Sequence, residues 1–323
     1  MRELWALLSF MFGTDVFDIE SADIFDSAYQ SGKQSQDKEL LAKAPYLLNP
    51  FFLRRLKSEV ELSLPPKEEI IIKIKMSAEQ KKYYKTFLLA HSSLIDQVSD
   101  EMYGGDKNKA KTQVSVWKKL RHLYTELRKI AMHPFLLRDF EHKISIGNAA
   151  EIVSHSSKLQ LLDKLLHRLK SEGHRVLLFS CFTLVLDLLQ VYCECKGYKY
   201  LRLDGSTSRV RRKVDIMRFN DNPDSEYFIY LISNRAGGLG INLQSADTVI
   251  HFDTDWNPQA DLQAQARAHR IGQKKMVKIY RLITKDTVEE RILFRSQQKL
   301  YLDAVVNKGA KMLQVKHPCF IFH

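Results

Sequence analysis

Cysteine is scarce in these 323 residues, with four in all: Cys181, Cys193, Cys195 and Cys319. Cys193 and Cys195 stand two apart in a run of helical pattern, so they point in different directions. No second pair completes a zinc set, and the four read as reduced thiols of an intracellular protein. Long apolar runs are missing too, and nothing approaches membrane-spanning length. The amphipathic N-terminus, M-R-E-L-W-A-L-L-S-F-M-F, lacks a small-residue cleavage site and makes a poor signal peptide. Acidic residues are outnumbered, 38 against 50 basic, for a net charge of +12 and a pI near 9.4. That balance favours a polyanionic partner, nucleic acid above all, and gives no reason to expect a membrane. Last, no phosphate-cradling G-x-x-x-x-G-K-[ST] loop occurs anywhere.

What is present falls into two stretches of different rhythm. The length suits one large domain or two smaller ones, and a hydrophobic content of 45% is enough for a core. Residues 1–60 look helical with breaks. Leu4, Leu7, Leu8 and Met11 form an apolar face, and 30–39 is a polar loop. The segment L-L-N-P-F-F-L-R-R-L-K-S-E-V sets apolar residues beside Arg54, Arg55 and Lys57, and Pro65-Pro66 ends the region. E-I-I-I-K-I-K-M (69–76) alternates as a strand. Ser77 with Gln80 three later is a capping box for a helix from Ala78. Residues 103–109 read as a loop tip. Trp117, Leu120, Leu123, Leu127 and Ile130 recur at helical spacing over 112–131, and 139–155 is loose.

From residue 156, short apolar runs alternate with helical patterns of ten to sixteen residues: 175–180, 198–205, 227–232, 248–253 and 277–283. This alternation predicts right-handed βαβ units and a parallel sheet covered on both faces. Ligands gather at the C-terminal strand ends of such sheets. Those ends carry S-C-F-T (180–183), D-G-S-T-S (204–208), S-N-R-A-G-G-L-G-I-N-L (233–243) and D-T-D-W-N-P (253–258). Each could be a plain turn; together they point to a site. After the last, Asn257 suits an N-cap and Pro258 the first helical position. The helix is expected to run to His269 and close at Gly272. Arg267 and Arg270 then share a face in its last turn, with Gln263 one turn above. Arginines there can also simply face water and favour the helix dipole.

The ordered set F-L-R-R-L-K-S-E-V-E-L-S-L-P-P-K (52–67), L-R-K-I-A-M-H-P-F-L (127–136), R-L-D-G-S-T (202–207), R-A-G-G-L-G-I-N-L (235–243), D-W-N-P-Q (255–259) and A-R-A-H-R-I-G-Q (266–273) resembles the Swi/Snf family of DNA translocases over roughly residues 2–313. Within that family the wording is most similar to imitation-switch chromatin remodellers, with chromodomain remodellers next. The resemblance implies an α/β fold: a RecA-like parallel sheet with helices on both faces, plus a helical insertion. It divides the chain into the end of a first lobe with its last strand (1–76), a helical insertion and linker (77–155), a second lobe (156–285), a brace helix (286–313) and a tail matching nothing (314–323).

The same resemblance implies a nuclear, ATP-driven motor on double-stranded DNA that moves nucleosomes. The first lobe's phosphate loop and D-E-x-H stretch are absent here, so ATP with Mg2+ would be held mainly by the missing N-terminal ATPase lobe, and the chain alone should be inactive. Arg267 and Arg270 match the family's arginine fingers, Gln263 the glutamine that opens their motif, and Gly240 a nucleotide contact from lobe two. Ser180, Thr183, Gly205, Ser206, Thr207, Arg235, Gly237 and Gly238 match positions that grip one strand's phosphates. Trp256 could support the DNA path or sit in the core. Histones and the nucleosome are implied partners, and no metal ligand is assigned to this chain. Asn234 stands where the family usually has threonine, and Cys181-Phe182 where it usually has Gln-Met. A strand-separating helicase fits the wording less well. A non-catalytic module that binds DNA or a histone tail stays open.

Overall fold

The computed structural model describes residues 2–13, 17–18, 49–51, 64–94, 110–137, 149–220, 226–237, 240–308 and 319–320. They belong to two units, Met1–Val60 with Gln297–His317, and Glu61–Ser296 with Pro318–His323. The loops at 30–39 and 103–109, the segment 52–63, Gly238, the Trp117 side chain and most of the tail lie outside the described residues.

In the first unit, α1 (Arg2–Phe12) buries Leu8 against Phe17, with Trp5 and Phe51 packed beside them. The Trp5 and Phe17 rings meet edge to face at 5.2 Å, and the indole N–H donates to the Asp18 carbonyl at 2.7 Å. Leu7, Phe10 and Met11 stay exposed.

The second unit is built on one parallel sheet. Its strands are β1 (Lys67–Ile74), β2 (Val176–Ser180), β3 (Tyr200–Leu203), β4 (Ile229–Ser233), β5 (Thr248–His251), β6 (Val277–Thr284) and the two-residue β7 (Cys319–Phe320). The order is β3-β4-β2-β5-β6-β1-β7, every pairing parallel. Every residue of β2, β4 and β5 is buried. Such runs arise when both faces of a parallel sheet are covered. Successive side chains leave opposite faces, so Leu178, Leu231 and Ile250 join one core while Leu177, Phe179, Tyr230, Ile232 and Val249 join another. Helices α5 (Ser157–Ser171) and α6 (Thr183–Cys195) cover the first core with Leu159, Leu162, Leu166, Leu186 and Leu189. The second is covered by α7 (Arg209–Asn220) through Phe219, the single turn α8 (Asn234–Gly237) through Ala236, and α9 (Pro258–Gln265) through Ala264. Both the α/β class and the two-sided cover match the expectation from the sequence.

One expectation is corrected. The strand read at 69–76 is β1, and it does not belong to an absent sheet. It pairs in parallel with β6 over eight residues, from Lys67↔Val277 to Ile74↔Thr284. Its isoleucines explain why: Ile72 and Ile74 enter the first core with Leu282, and Ile71 packs with Ile283 and Leu293 on the other side.

Between β1 and α5 lie α2 (Ala78–Ala90), α3 (Ala110–Met132) and the short α4 (Ala149–Ser154). The capping box is present: Ser77 Oγ accepts from Gln80 N at 3.1 Å, and Gln80 Oε1 accepts from Ser77 N at 3.3 Å. The same glutamine donates to Ile130 and Ala131 carbonyls at 3.0 and 3.1 Å, satisfying the C-terminal end of α3. Leu123, Leu127 and Ile130 of α3 pack with Tyr84 of α2 and Val288, the first residue of α10 (Val288–Lys308). Ile292 is buried, Leu300 is half-buried, and the Val305 side chain lies outside the described residues.

Candidate functional site

Because all strands are parallel, their C-terminal ends emerge on one edge, and β3, β4, β2 and β5 are neighbours there. Asp204 organises the turn after β3. Its carboxylate accepts from Ser206 N at 2.9 Å, Ser206 Oγ at 2.6 Å and Arg202 Nε at 2.9 Å, while its own N–H donates to Thr207 Oγ1 at 3.1 Å. The Ser206 hydroxyl, prevailing over burial with help from the Ser206 N–H and Arg202, holds Asp204 below its ordinary range. Gly205 and Ser206 are exposed and Thr207 is half-buried. A cleft of about 580 Å³ adjoins them, lined in part by Arg202, Ser208 and Arg211.

Arg235 projects exposed from α8, and Thr183 is exposed at the first residue of α6. Gly237 closes α8. Ser180, expected on this surface, is not on it. It is 0% exposed, donates to Asp253 Oδ2 at 2.9 Å and accepts from Phe182 N at 3.2 Å. At the end of an inner strand of the sheet, its hydroxyl ties β2 to the residues after β5. Trp256 is at the surface, 36% exposed, with its ring 5.7 Å from that of Tyr124. Arg128 of α3 braces the edge from below, donating to the Thr254 carbonyl at 2.9 Å and lying over the Phe182 ring.

The arginine pair is elsewhere. Asn257 caps α9 as expected, accepting from Gln259 N at 3.2 Å, but the helix stops at Gln265 rather than His269. Its carbonyls are drawn away: Arg267 O accepts from Leu243 N at 3.1 Å, and Ala268 O from Gln273 Nε2 at 3.2 Å. Residues 266–272 therefore form tight turns, ending at Gly272 with φ 99°. That φ is one side chains rarely adopt, so the position favours glycine, while a Cβ there would only push aside the flexible end of the Gln244 side chain.

Running antiparallel to β5, α9 carries Arg267 and Arg270 to the opposite end of the sheet. There His269 Nε2 meets the Pro65 carbonyl at 2.7 Å, just before β1, and Gln273 Nε2 the Ala246 carbonyl at 2.8 Å, just before β5. Arg270 Nη1 donates to Gly240 O at 3.3 Å. Gly240 has φ 70°, a backbone that favours glycine. Arg267 is half-buried, and burial, then the charge of Arg270, lowers its pKa. Arg267 thus lies in the field of Arg270, and Gly240 lies beside Arg270. Gln263 is exposed on α9, whereas Gln265 is buried and accepts from Lys67 Nζ at 3.2 Å.

Sequence reasoning missed two buried charge clusters. Asp261 of α9, 1% exposed, accepts from Asn234 Nδ2 at 3.3 Å, from Asp255 N at 3.4 Å and from Arg281 Nη1. Arg281 of β6 also donates to Glu69 of β1 at 2.8 and 3.1 Å. Burial pushes the Asp261 carboxyl up to about 6 against the pull of Arg281. His251, in register with Arg281, is held well below its ordinary pKa by burial and by that guanidinium. Separately, Lys158 of α5, 1% exposed, reaches both Glu289 oxygens at 2.7 Å and the Phe252 carbonyl at 2.9 Å. Partners so far apart in sequence leave no local pattern to read.

Residues 157–272 match the family model described as helicase conserved C-terminal domain, and residues 1–136 the SNF2-related domain. The human SWI/SNF-related matrix-associated actin-dependent regulator of chromatin subfamily A member 1 is 45% identical over 313 residues, which is 97% of this chain and 28% of that protein. The Saccharomyces cerevisiae ISWI chromatin-remodeling complex ATPase ISW1 is 45% identical over 308 residues, 95% of this chain and 26% of that protein. The chain thus spans 26–28% of the length of these relatives. Among solved structures, the C-terminal part of the Fun30 ATPase domain superposes with a TM-score of 0.58 at 29% identity, covering 76% of this chain and 98% of that one. With the parallel sheet, the ordered motifs and this identity along nearly the whole chain in agreement, the chain belongs to the SNF2-related family of SWI/SNF and ISWI chromatin-remodelling ATPases.

Proposed function

We propose that the chain is the C-terminal half of a nuclear, ATP-driven motor that tracks double-stranded DNA and repositions nucleosomes. The observation that carries this reading is the gathering of Arg267, Arg270 and Gly240 at one end of the sheet. Two guanidiniums that raise each other's energy are stabilised by a polyanion between them. The charge spread over a transferring phosphoryl group is such a polyanion. The residues present fit the phosphates of ATP. Magnesium chemistry would come from carboxylates outside this chain, since neither a phosphate loop nor a D-E-x-H stretch occurs in it. When bound, the metal ion would neutralise phosphate charge; here Arg267 and Arg270 would stabilise the charge that develops during transfer. Gln263, exposed on α9, would act at the approach to the pair.

At the strand edge, Thr183, Gly205, Ser206, Thr207, Arg235 and Gly237 would hold phosphates of one DNA strand. Exposed hydroxyls, backbone amides and a cation read no bases and grip any sequence. Residues 156–285, completed by β1, would form the second motor lobe, residues 1–60 the tail of a first lobe, and 286–313 the brace. The test is ATP turnover with and without duplex DNA, first for this chain alone and then for the chain joined to a first lobe from a relative. No turnover alone and DNA-stimulated turnover when joined are expected. A joined motor that binds DNA and ATP yet stays inactive would favour a binding module instead.

A further inference from the structure

We infer that Asp261 is a positioning residue that couples the strand edge to the arginine end, by fixing α9 to the segment that opens at Asn234. The inference rests on the reading of those two ends proposed above.

Asp261 ties α9 to α8, to the residues after β5 and to β6. Its Oδ1 accepts from Asn234 Nδ2 at 3.3 Å and from Asp255 N at 3.4 Å, both at the strand edge. Its Oδ2 accepts from Arg281 Nη1, and Arg281 is held in turn by Glu69 of β1. Asn234 immediately precedes Arg235, so a shift of α8 on phosphate binding is felt first at that amide. The Asn234 side chain is 5% exposed, also donates to Cys181 Sγ at 3.2 Å, and leaves its Oδ1 without a hydrogen-bond partner among the described residues. An amide held in this way is oriented by its two donor contacts, not by full satisfaction of its polar atoms.

The far ends of the same two segments are also joined. Gly240 O accepts from Arg270 Nη1 at 3.3 Å, and Leu243 N donates to Arg267 O at 3.1 Å. Asn234, Gly240 and Leu243 are therefore pinned to both ends of the segment that runs from Asp261 to Arg270. A helix of eight residues is only about 12 Å long and rigid on that scale, and the turns beyond it are tied to its end by Arg267 N to Ala264 O at 3.1 Å and His269 N to Gln265 O at 3.0 Å. Movement admitted at the Asn234–Asp261 pin therefore reappears at the guanidiniums. A buried carboxylate in such a place is weak support for stability and is better explained by the geometry it enforces.

Hydrogen exchange on this chain tests the idea, with a short duplex of arbitrary sequence as the probe. Duplex binding should slow exchange of the amides of residues 264–273 by about fivefold or more, the size of an ordinary coupling between sites. Asp261→Ala should abolish that slowing while duplex affinity stays within about twofold, which separates coupling from binding. Asn234→Ala, which leaves the Asp261–Arg281 pair intact, should abolish it as well and carries the test if Asp261→Ala melts too early. Asp261→Asn keeps an acceptor for Asn234 and should restore the slowing; a role confined to stability would move melting in all three variants and the slowing in none. Slowing that survives Asp261→Ala and Asn234→Ala would overturn the inference. So would a native chain that binds duplex with no change at 264–273. A chain that binds no duplex would instead sink the reading of the strand edge on which the inference depends.

Discussion

At the strand edge many of the groups facing solvent are small, the Ser206 and Thr183 hydroxyls and the Gly205 backbone, with exposed guanidiniums such as Arg235 and Arg211 among them. At the far end of α9 there are two guanidiniums, half-buried, each in the field of the other, beside a glycine carbonyl. The edge spreads its work over many weak contacts and is organised by a carboxylate, Asp204, kept charged by donors. The arginine end concentrates its work in two side chains and keeps its shape by drawing backbone carbonyls out of a helix. A site of the first kind loses function gradually under substitution. One of the second kind fails at a single residue.

The largest effect should therefore fall at the arginine end. In a two-lobe motor, Arg267→Ala or Arg270→Ala should cut ATP turnover about 10²-fold or more with little change in ATP binding. Near-normal turnover in steady-state assays would erase the contrast. Next comes the support beneath the edge. Lys158→Met leaves Glu289 buried and unpaired and should cost about 3–5 kcal/mol in urea unfolding, while Lys158→Met with Glu289→Gln should recover much of it. Equal loss in the single and double variants would mean that packing, not charge, is at work there.

The two carboxylates should also respond oppositely to pH. Asp261 has a folded value raised from 3.8 to about 6. Its contribution is fully present below its unfolded pKa and is lost as pH rises through the folded value, a change of about 3 kcal/mol. Asp261→Asn should therefore gain on the native chain as pH rises from 4 to 6. Asp204 is lowered, so its contribution is present above the unfolded pKa and is lost as pH falls through the folded one. Parallel pH–stability curves for native and Asp261→Asn chains would remove the first half of this contrast. Smallest are single edge contacts. Arg235→Ala should weaken duplex binding by about 1.5–3 kcal/mol and Thr207→Ala by about 0.5–1.5. Both should act alike on unrelated sequences, with affinity falling as salt rises. Anisotropy titrations that found a preferred sequence would show that the edge reads more than phosphate.

The parallel sheet was legible because V-L-L-F-S, I-Y-L-I-S and T-V-I-H are unbroken apolar runs, a local signal. The Ser77–Gln80 box and the Asn257 cap were legible for the same reason. The sheet to which β1 belongs was not, since alternation marks a strand but names no partner. The end of α9 depended on bonds from Leu243 and Gln273, which no periodicity announces. Ser180 was misread because residue type and strand end suggested a phosphate contact, while its place at the end of an inner strand buried it. Arg267, Arg270 and Gly240 were named from motif order, and the fold brings them together across about thirty residues of chain.

The pairing of β1 with β6 carries a consequence for synthesis. Glu69 and Arg281, which bond across those strands, are 212 residues apart. At about 5–20 residues per second on the ribosome, β1 emerges roughly 10–40 s before its partner exists. Throughout that interval an isoleucine-rich strand waits with both edges unsatisfied, the condition under which nascent chains associate wrongly. Chaperone demand during translation should therefore concentrate on this one segment, and should rise when Glu69, which precedes its isoleucines, or Lys73, which interrupts them, is replaced by an apolar residue.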